Sequence, residues 1–234
     1  MPPPERAQSG APGPGLTKAR RPSPTADKMT LPTSNPPPTP LRPISAPARI
    51  VFVGASTGGT EAIKVFLTGL PANFPPVLIT QHMPEAFTNS FAKRLDSLCA
   101  PEVVEAEDGM PVASGRVYIA PGHSHLRIRR SGSGFATDLL KAPPFNRHRP
   151  SVDVLFRSAA EIVGSHAVGV ILTGMGKDGA QGLKAMHEAG AWTVAQDQAT
   201  CIVFGMPREA IALGAADEVL PLGQIAPRLV SLLR

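Results

Sequence analysis

The stretch Ile50-Val51-Phe52-Val53-Gly54-Ala55-Ser56-Thr57-Gly58-Gly59 decides the reading of this chain, because it runs from a buried strand into a helix through a turn that holds one serine. Branched apolar residues in succession predict a strand covered on both faces, and the apolar spacing from Thr60 to Leu70 predicts a helix. The glycines relieve crowding in the turn, while the helix start behind Ser56 offers unpaired backbone N–H groups and a positive dipole end. Gly-Ala-Ser-Thr-Gly also satisfies the G-x-S-x-G nucleophile-elbow pattern. Taken alone, the pattern divides evenly between a nucleophile, a phosphate cradle and a structural turn, since strand, Gly-rich turn and helix also open many nucleotide-binding folds.

A dinucleotide site wants an acidic residue about 20 positions on, at the end of the second strand. That strand, 76–81, runs instead into Gln81-His82-Met83-Pro84, and a third of the same kind, 167–173, ends in Gly174-Met175-Gly176-Lys177-Asp178-Gly179-Ala180. In a doubly wound sheet the carboxyl ends of neighbouring strands share one crevice. Ser56, His82 and Asp178 are therefore candidates for a nucleophile, its base, and the carboxylate that orients the base. Each has a plainer reading: a capping or core-edge histidine for His82, a helix N-cap for Asp178. Three complementary side chains on three strand ends favour the catalytic one. The order serine, histidine, aspartate departs from that of α/β-hydrolases, chymotrypsin and subtilisin, so the ordinary hydrolase fold is not expected.

With these residues in view, the chain resembles the catalytic domain of CheB-type chemotaxis protein-glutamate methylesterases. The likeness is carried by Gly-Ala-Ser-Thr-Gly-Gly at 54–59, Gln-His-Met-Pro at 81–84 and Gly-Arg-Val-Tyr-Ile-Ala-Pro-Gly at 115–122. His-Arg-Pro-Ser-Val-Asp at 148–153 and Leu-Thr-Gly-Met-Gly-Lys-Asp-Gly at 172–179 complete it, over roughly residues 48–234. The resemblance puts Ser56, His82 and Asp178 on the family's catalytic residues. It implies hydrolysis of glutamate γ-methyl esters on the cytoplasmic helices of methylated chemoreceptors, with methanol release, and deamidation of receptor glutamines, in chemotaxis adaptation. An oxyanion formed on the way is expected to meet backbone N–H groups, Thr57 first and Met175 second. Arg149 is expected to dock the receptor. No cofactor or metal is expected, and the location implied is cytoplasmic. Two other functions stay open on sequence: the same triad acting on a different protein or small ester outside chemotaxis, and a non-enzymatic nucleotide-binding or scaffold module.

The expected fold class is α/β: a three-layer α/β/α arrangement on a mostly parallel, doubly wound sheet with an antiparallel hairpin insertion. Strands are predicted at 49–54, 76–81, 102–107, 116–120, 124–129, 167–173, 191–196 and 217–221. Helices are predicted at 58–69, 86–99, 151–164, 179–189, 206–213 and 223–233. The strand-like runs between Glu102 and Arg130 follow one another without helices, which places the antiparallel insertion there.

Two domains of sequence are distinguished: a disordered Pro-rich tail at 1–48 and the catalytic domain at 49–234. The tail holds 14 of the 27 prolines and few branched apolar or aromatic residues, a composition that cannot form a core. Pro36-Pro37-Pro38-Thr39-Pro40 could dock an aromatic groove, though a plain linker fits the composition better. The resemblance implies a receiver domain ahead of such a linker. Residues 1–48, with Glu5 and Asp27 as their only acids, cannot supply one, which leaves the regulator unknown and the chain either stand-alone or a fragment. Six Lys or Arg against two acids put +4 of the formal +5 in the tail, leaving the domain near +1. No basic face interleaved with aromatics argues for nucleic acid. Arg127, Arg129, Arg130, Lys141, Arg147 and Arg149 form a local basic stretch, read as a solvated edge or as a surface for a glutamate-rich helix.

His123 and His125 share a face without a third ligand at metal spacing. His166 and His187 read as surface residues at helix ends, and the unpaired Cys99 and Cys201 suit a reducing compartment. Direct membrane insertion is not expected, for no apolar run approaches the ~18 residues that a span requires.

Overall fold

Successive residues of strand β1 (Ile50–Ala55) face opposite sides of the sheet, and all are buried, so this one strand nucleates two cores. Ile50 and Phe52 enter one apolar cluster, Val51, Val53 and Ala55 the other. The computed structural model describes residues 49–233. The Pro-rich tail expected at 1–48 lies outside them.

After β1 come α1 (Gly59–Thr68), β2 (Val77–Gln81), α2 (Glu85–Asp96), β3 (Glu102–Glu105), β4 (Arg116–Ile119) and the pair β5 (His125–Ser131) and β6 (Gly134–Leu140). The chain continues through α3 (Val152–Ile162), a 3-10 turn at Gly164–His166, β7 (Ala167–Ile171), α4 (Ala180–Glu188), β8 (Trp192–Gln196), α5 (Met206–Ala212), β9 (Glu218–Leu220) and α6 (Leu222–Leu232). Seven strands form one parallel sheet in the order β3-β4-β2-β1-β7-β8-β9. Helices α3, α4 and α5 cover one face and α1, α2 and α6 the other. The fold is the expected α/β class. Fully burying a side chain such as Phe52, Phe66 or Phe156 contributes roughly 1.5–3 kcal/mol each.

Between residues 102 and 140 the structure corrects the sequence reading. β3 and β4 are not antiparallel; they join the main sheet in parallel, Val103 opposite Val117. The antiparallel pair is β5–β6, and β6 was not foreseen. The physical reason lies in the connection 106–115. Parallel strands need a crossover over one face, usually a helix, and here an irregular segment crosses under cover of the hairpin. Pro111 bridges Ala136; Gly109 N–H donates to Thr137 O, Thr137 N–H to Met110 O and Val112 N–H to Phe135 O. Ala106 and Val112 reach the core beneath. The hairpin takes the place of a helix.

Strands run outward from β1 in both directions, β2 on one side and β7 on the other. The crevice at such a reversal, beyond the carboxyl ends of the strands, is where open α/β sheets bind ligands.

Candidate active site

Ser56 follows the last residue of β1 and continues its ladder, donating its N–H to Thr173 O at 3.0 Å. Its own carbonyl accepts from Gly59 N–H (2.7 Å) and from Gln81 Nε2 (3.0 Å). Gln81 Nε2 also donates to His82 O at 3.0 Å, so one side-chain amide ties the backbones of both residues together. His82 N–H in turn donates to Ala55 O. A two-residue turn separates Ser56 from α1, and Gly58 ends it at φ 79°, where a side chain would be strained and would strike Ile202. The backbone fixes the positions before any side chain is considered.

The side chains then meet in a chain. Ser56 Oγ lies 3.1 Å from His82 Nδ1, and His82 Nε2 lies 2.8 Å from Asp178 Oδ2. A carboxylate can only accept, so the neutral ring carries its hydrogen on Nε2 and leaves Nδ1 free to accept the serine proton. The His82 and Asp178 side chains are 8% and 1% exposed.

Asp178 does not cap its own helix. The N-cap of α4 is Gly179, without a side-chain bond. The carboxylate instead reaches the start of α3, where it accepts from Val152 N–H (2.7 Å) and Ser151 Oγ (2.7 Å), and it takes a further bond from Asn146 Nδ2 (2.9 Å). Asp153, in the first turn of α3, does the converse: its Oδ1 accepts from Gly182 N–H of α4 at 2.6 Å. The two helices exchange their capping carboxylates. Burial opposes the charge on Asp178, but the donors from His82, Asn146, Ser151 and Val152 together outweigh it and hold its pKa below the usual carboxylate value. Burial dominates at Asp153 and raises its pKa, despite the bond from Gly182.

Three residues that sequence reasoning gave no role complete the surroundings. Asn146 and Ser151 bind Asp178 as described, and His148 stacks on His82 with ring centroids 3.7 Å apart and planes 10° from parallel. Burial first, and His82 second, lower the His148 pKa, which favours the neutral ring beside His82. His148 and Ser151 stand in the 148–153 motif, but nothing in that string says which way they point.

The remaining expectations divide. Thr57 and Met175 are exposed, and their N–H groups donate to no other group among the described residues. The Met175 loop abuts the serine: a Cβ on Gly174 would come within 2.8 Å of Ser56 Cβ. Arg149 is not brought into the Ser56–His82–Asp178 chain; its guanidinium reaches Ala142 O at 3.4 Å on the neighbouring loop. His125 is a buried, satisfied histidine, with Nε2 on Pro143 O and Nδ1 accepting from Ser151 N–H. A cleft of about 690 Å³ opens from Ser56 and His82 between α1 and α2, past Phe87, Phe91 and Arg94.

A serine bonded to a histidine, itself bonded to a buried carboxylate at the carboxyl edge of a parallel sheet, has the geometry of a serine-hydrolase centre. Residues 51–229 match the family described as CheB methylesterase. The chain belongs to that family. It is 61% identical over 192 residues to "Protein-glutamate methylesterase/protein-glutamine glutaminase 1" of Dechloromonas aromatica, covering 82% of this chain and 55% of that protein. It is 62% identical over 196 residues to the protein-glutamate methylesterase/protein-glutamine glutaminase of Bordetella parapertussis, covering 82% and 56%. The crystal structure of the Thermotoga maritima CheB methylesterase catalytic domain superposes with a TM-score of 0.77 at 45% identity, over 79% of this chain and 98% of that one. The chain thus spans little more than half the length of these curated relatives, but nearly the whole of the solved catalytic domain.

Proposed function

We propose that this protein hydrolyses glutamate γ-methyl esters on the cytoplasmic helices of chemoreceptors, and deamidates receptor glutamines at the same centre. The observation that carries this reading is the continuous hydrogen-bonded chain Ser56–His82–Asp178 in a CheB methylesterase domain. His82 Nδ1 takes the serine proton as Oγ attacks the side-chain carbonyl, and Asp178 stabilises the imidazolium that forms. The N–H groups of Thr57 and Met175 receive the oxyanion. Collapse of the tetrahedral intermediate expels methoxide, which leaves as methanol with the proton from His82. Water, deprotonated by His82, then cleaves the acyl-enzyme and restores a free carboxylate and the serine hydroxyl. With glutamine the same steps release ammonia.

The exposed cations beside the site, Lys177, Arg147 and Arg149, suit a receptor helix rich in glutamate, and Arg149 contributes to docking it by steering the encounter. Such a target places the protein in the cytoplasm. Among the described residues, no helix is long and apolar enough to cross a membrane. The experiment is methanol release from methylated receptor fragments, with fluorophosphonate labelling alongside. Ser56→Ala should abolish both, lowering turnover by roughly 10⁶-fold. Sustained release by that variant would remove Ser56 from the mechanism.

A further inference from the structure

Asn146 occupies an unusual backbone position for what it does. Phe145 and His148 exchange two backbone hydrogen bonds, of 3.0 and 2.9 Å, across a two-residue loop in which Asn146 and Arg147 both have positive φ, 51° and 68°. That is a type I′ turn, a conformation that asparagine tolerates better than most residues. The turn delivers two side chains to the centre at once: His148 onto the face of His82, and the Asn146 amide between two buried carboxylates. The amide nitrogen lies 2.9 Å from Asp178 Oδ1 and 2.6 Å from Asp153 Oδ2. A primary amide has two hydrogens, and here each has a carboxylate of its own.

The consequence is electrostatic. Asp153 and Asp178 are each 2% exposed, and two carboxylates so close resist ionising together. Without a donor between them, the pair is best satisfied by a shared proton, and a proton on Asp178 costs His82 its acceptor. The titratable groups facing Asp178 are His82, His148 and Asp153, and the charge of Arg157 acts on Asp153. None of these offers a hydrogen to both acids. We infer that Asn146 is a positioning residue for the esterase reaction: by giving one amide hydrogen to each acid, it keeps Asp178 ionised and aimed at His82 while Asp153 caps α4. The inference rests on the catalytic reading of the Ser56–His82–Asp178 chain and adds to it a residue that touches neither substrate nor nucleophile.

The decisive variant is Asn146→Gly, which suits the left-handed turn at least as well as asparagine and removes the side chain that carries the amide. It should fold with a melting temperature near that of the parent and retain KM, while kcat falls about tenfold, the scale of a hydrogen bond to a charged group. The acidic limb of the pH–rate profile should move to higher pH. Loss of a donor makes Asp178 easier to protonate, and a protonated Asp178 no longer serves His82 as an acceptor. Asn146→Asp also tolerates the turn, replaces the donor by a third acid, and should lose about a hundredfold. A folded Asn146→Gly with parental kcat and an unmoved acidic limb would leave Asn146 as a turn residue only and overturn the inference. The two readings fail separately: an active Ser56→Ala refutes the proposed reaction, whereas an inactive Ser56→Ala beside an unaffected Asn146→Gly refutes this inference alone.

Discussion

The sheet carries a histidine–aspartate contact at each of its two edges, and among the described residues only one of the two histidines is hydrogen-bonded to a serine. At the carboxyl edge, His82 and Asp178 are 2.8 Å apart with side chains 8% and 1% exposed. At the amino edge, His187 Nδ1 and Asp217 Oδ1 are 3.1 Å apart at 40% and 32% exposure, without the alignment of a hydrogen bond. That second pair borders an open depression with Arg49, Ser165, His166 and Trp192. Asp217 is also occupied elsewhere, its Oδ2 accepting from both Thr193 N–H and Thr193 Oγ1 and so pinning the start of β9 to β8. The separation of the rings from the acids is nearly the same in the two places; what differs is the exclusion of water, the number of donors fixing the carboxylate, and a serine hydroxyl bonded to the far side of the imidazole. A histidine and an aspartate within reach make an ion pair at a surface, and a base only where the fold has removed their freedom to do anything else.

Substitutions can break that contrast at the carboxyl edge first. Asp178→Asn should lower kcat about 10⁴-fold, because an amide cannot hold the same imidazole tautomer. It also turns a donor toward a place where Asn146, Ser151, His82 and Val152 all donate. Steady-state kinetics with a melting curve separates the two effects: a variant that melts lower yet turns over normally would demote Asp178 to a helix cap. Gly54→Ala tests the support beneath. An added Cβ would stand 2.2 Å from Val152 Cγ1, and Val152 supplies a backbone donor to Asp178. Overpacking of this kind costs about 1–3 kcal/mol, so denaturant midpoint and turnover should fall together.

The two exchanged capping acids should respond to pH with opposite signs. Asp178 has its pKa held below the ordinary 3.8, so the stability it contributes is present above that pH and is lost as pH falls through its folded value. Asp153 has its pKa raised above 3.8, so its contribution is present at low pH and is lost as pH rises through that raised value. Stability measured by denaturant across the acid range should therefore lose its downward slope above pH 3.8 in Asp153→Asn, by at most about 1.4 kcal/mol per pH unit. A slope unchanged by that substitution would exclude Asp153 as its source. The smallest effect belongs to the amino edge. His187→Ala should change stability by less than about 1 kcal/mol and leave turnover untouched. A loss of turnover there would erase the distinction between the two pairs.

Much of the fold was legible in the chain because Ser56 and His82 stand directly after buried strands and Asp178 in the glycine-rich loop that follows a third, where periodicity speaks most clearly. Ser56, His82 and Asp178 were readable for that reason, and the structure brings them together. Strand β6 was missed although its signal stood in the chain: Gly132-Ser133 between two alternating runs is a two-residue hairpin loop with glycine first, and the structure gives Gly132 a positive φ of 55°. The direction of β3 and β4 was not legible, since the rule that links parallel strands to helical crossovers has no way to foresee a crossover roofed by a hairpin. Asn146 and Ser151 were hidden for a different reason. Their partners lie 32 and 27 residues away, and a polar residue in a loop carries no local mark of what it will touch.

The exchange of carboxylates between α3 and α4 bears on how the molecule comes into being. Ser56 is separated from His82 by 26 residues and His82 from Asp178 by a further 96, so during synthesis the serine emerges on the order of ten seconds before the aspartate. When α3 first emerges its amino end has no Asp178 to close it, and His82 has no carboxylate to fix its ring. The Ser56–His82–Asp178 chain is closed by the last half of the sheet docking against the first, which makes its formation a clock for the completion of folding.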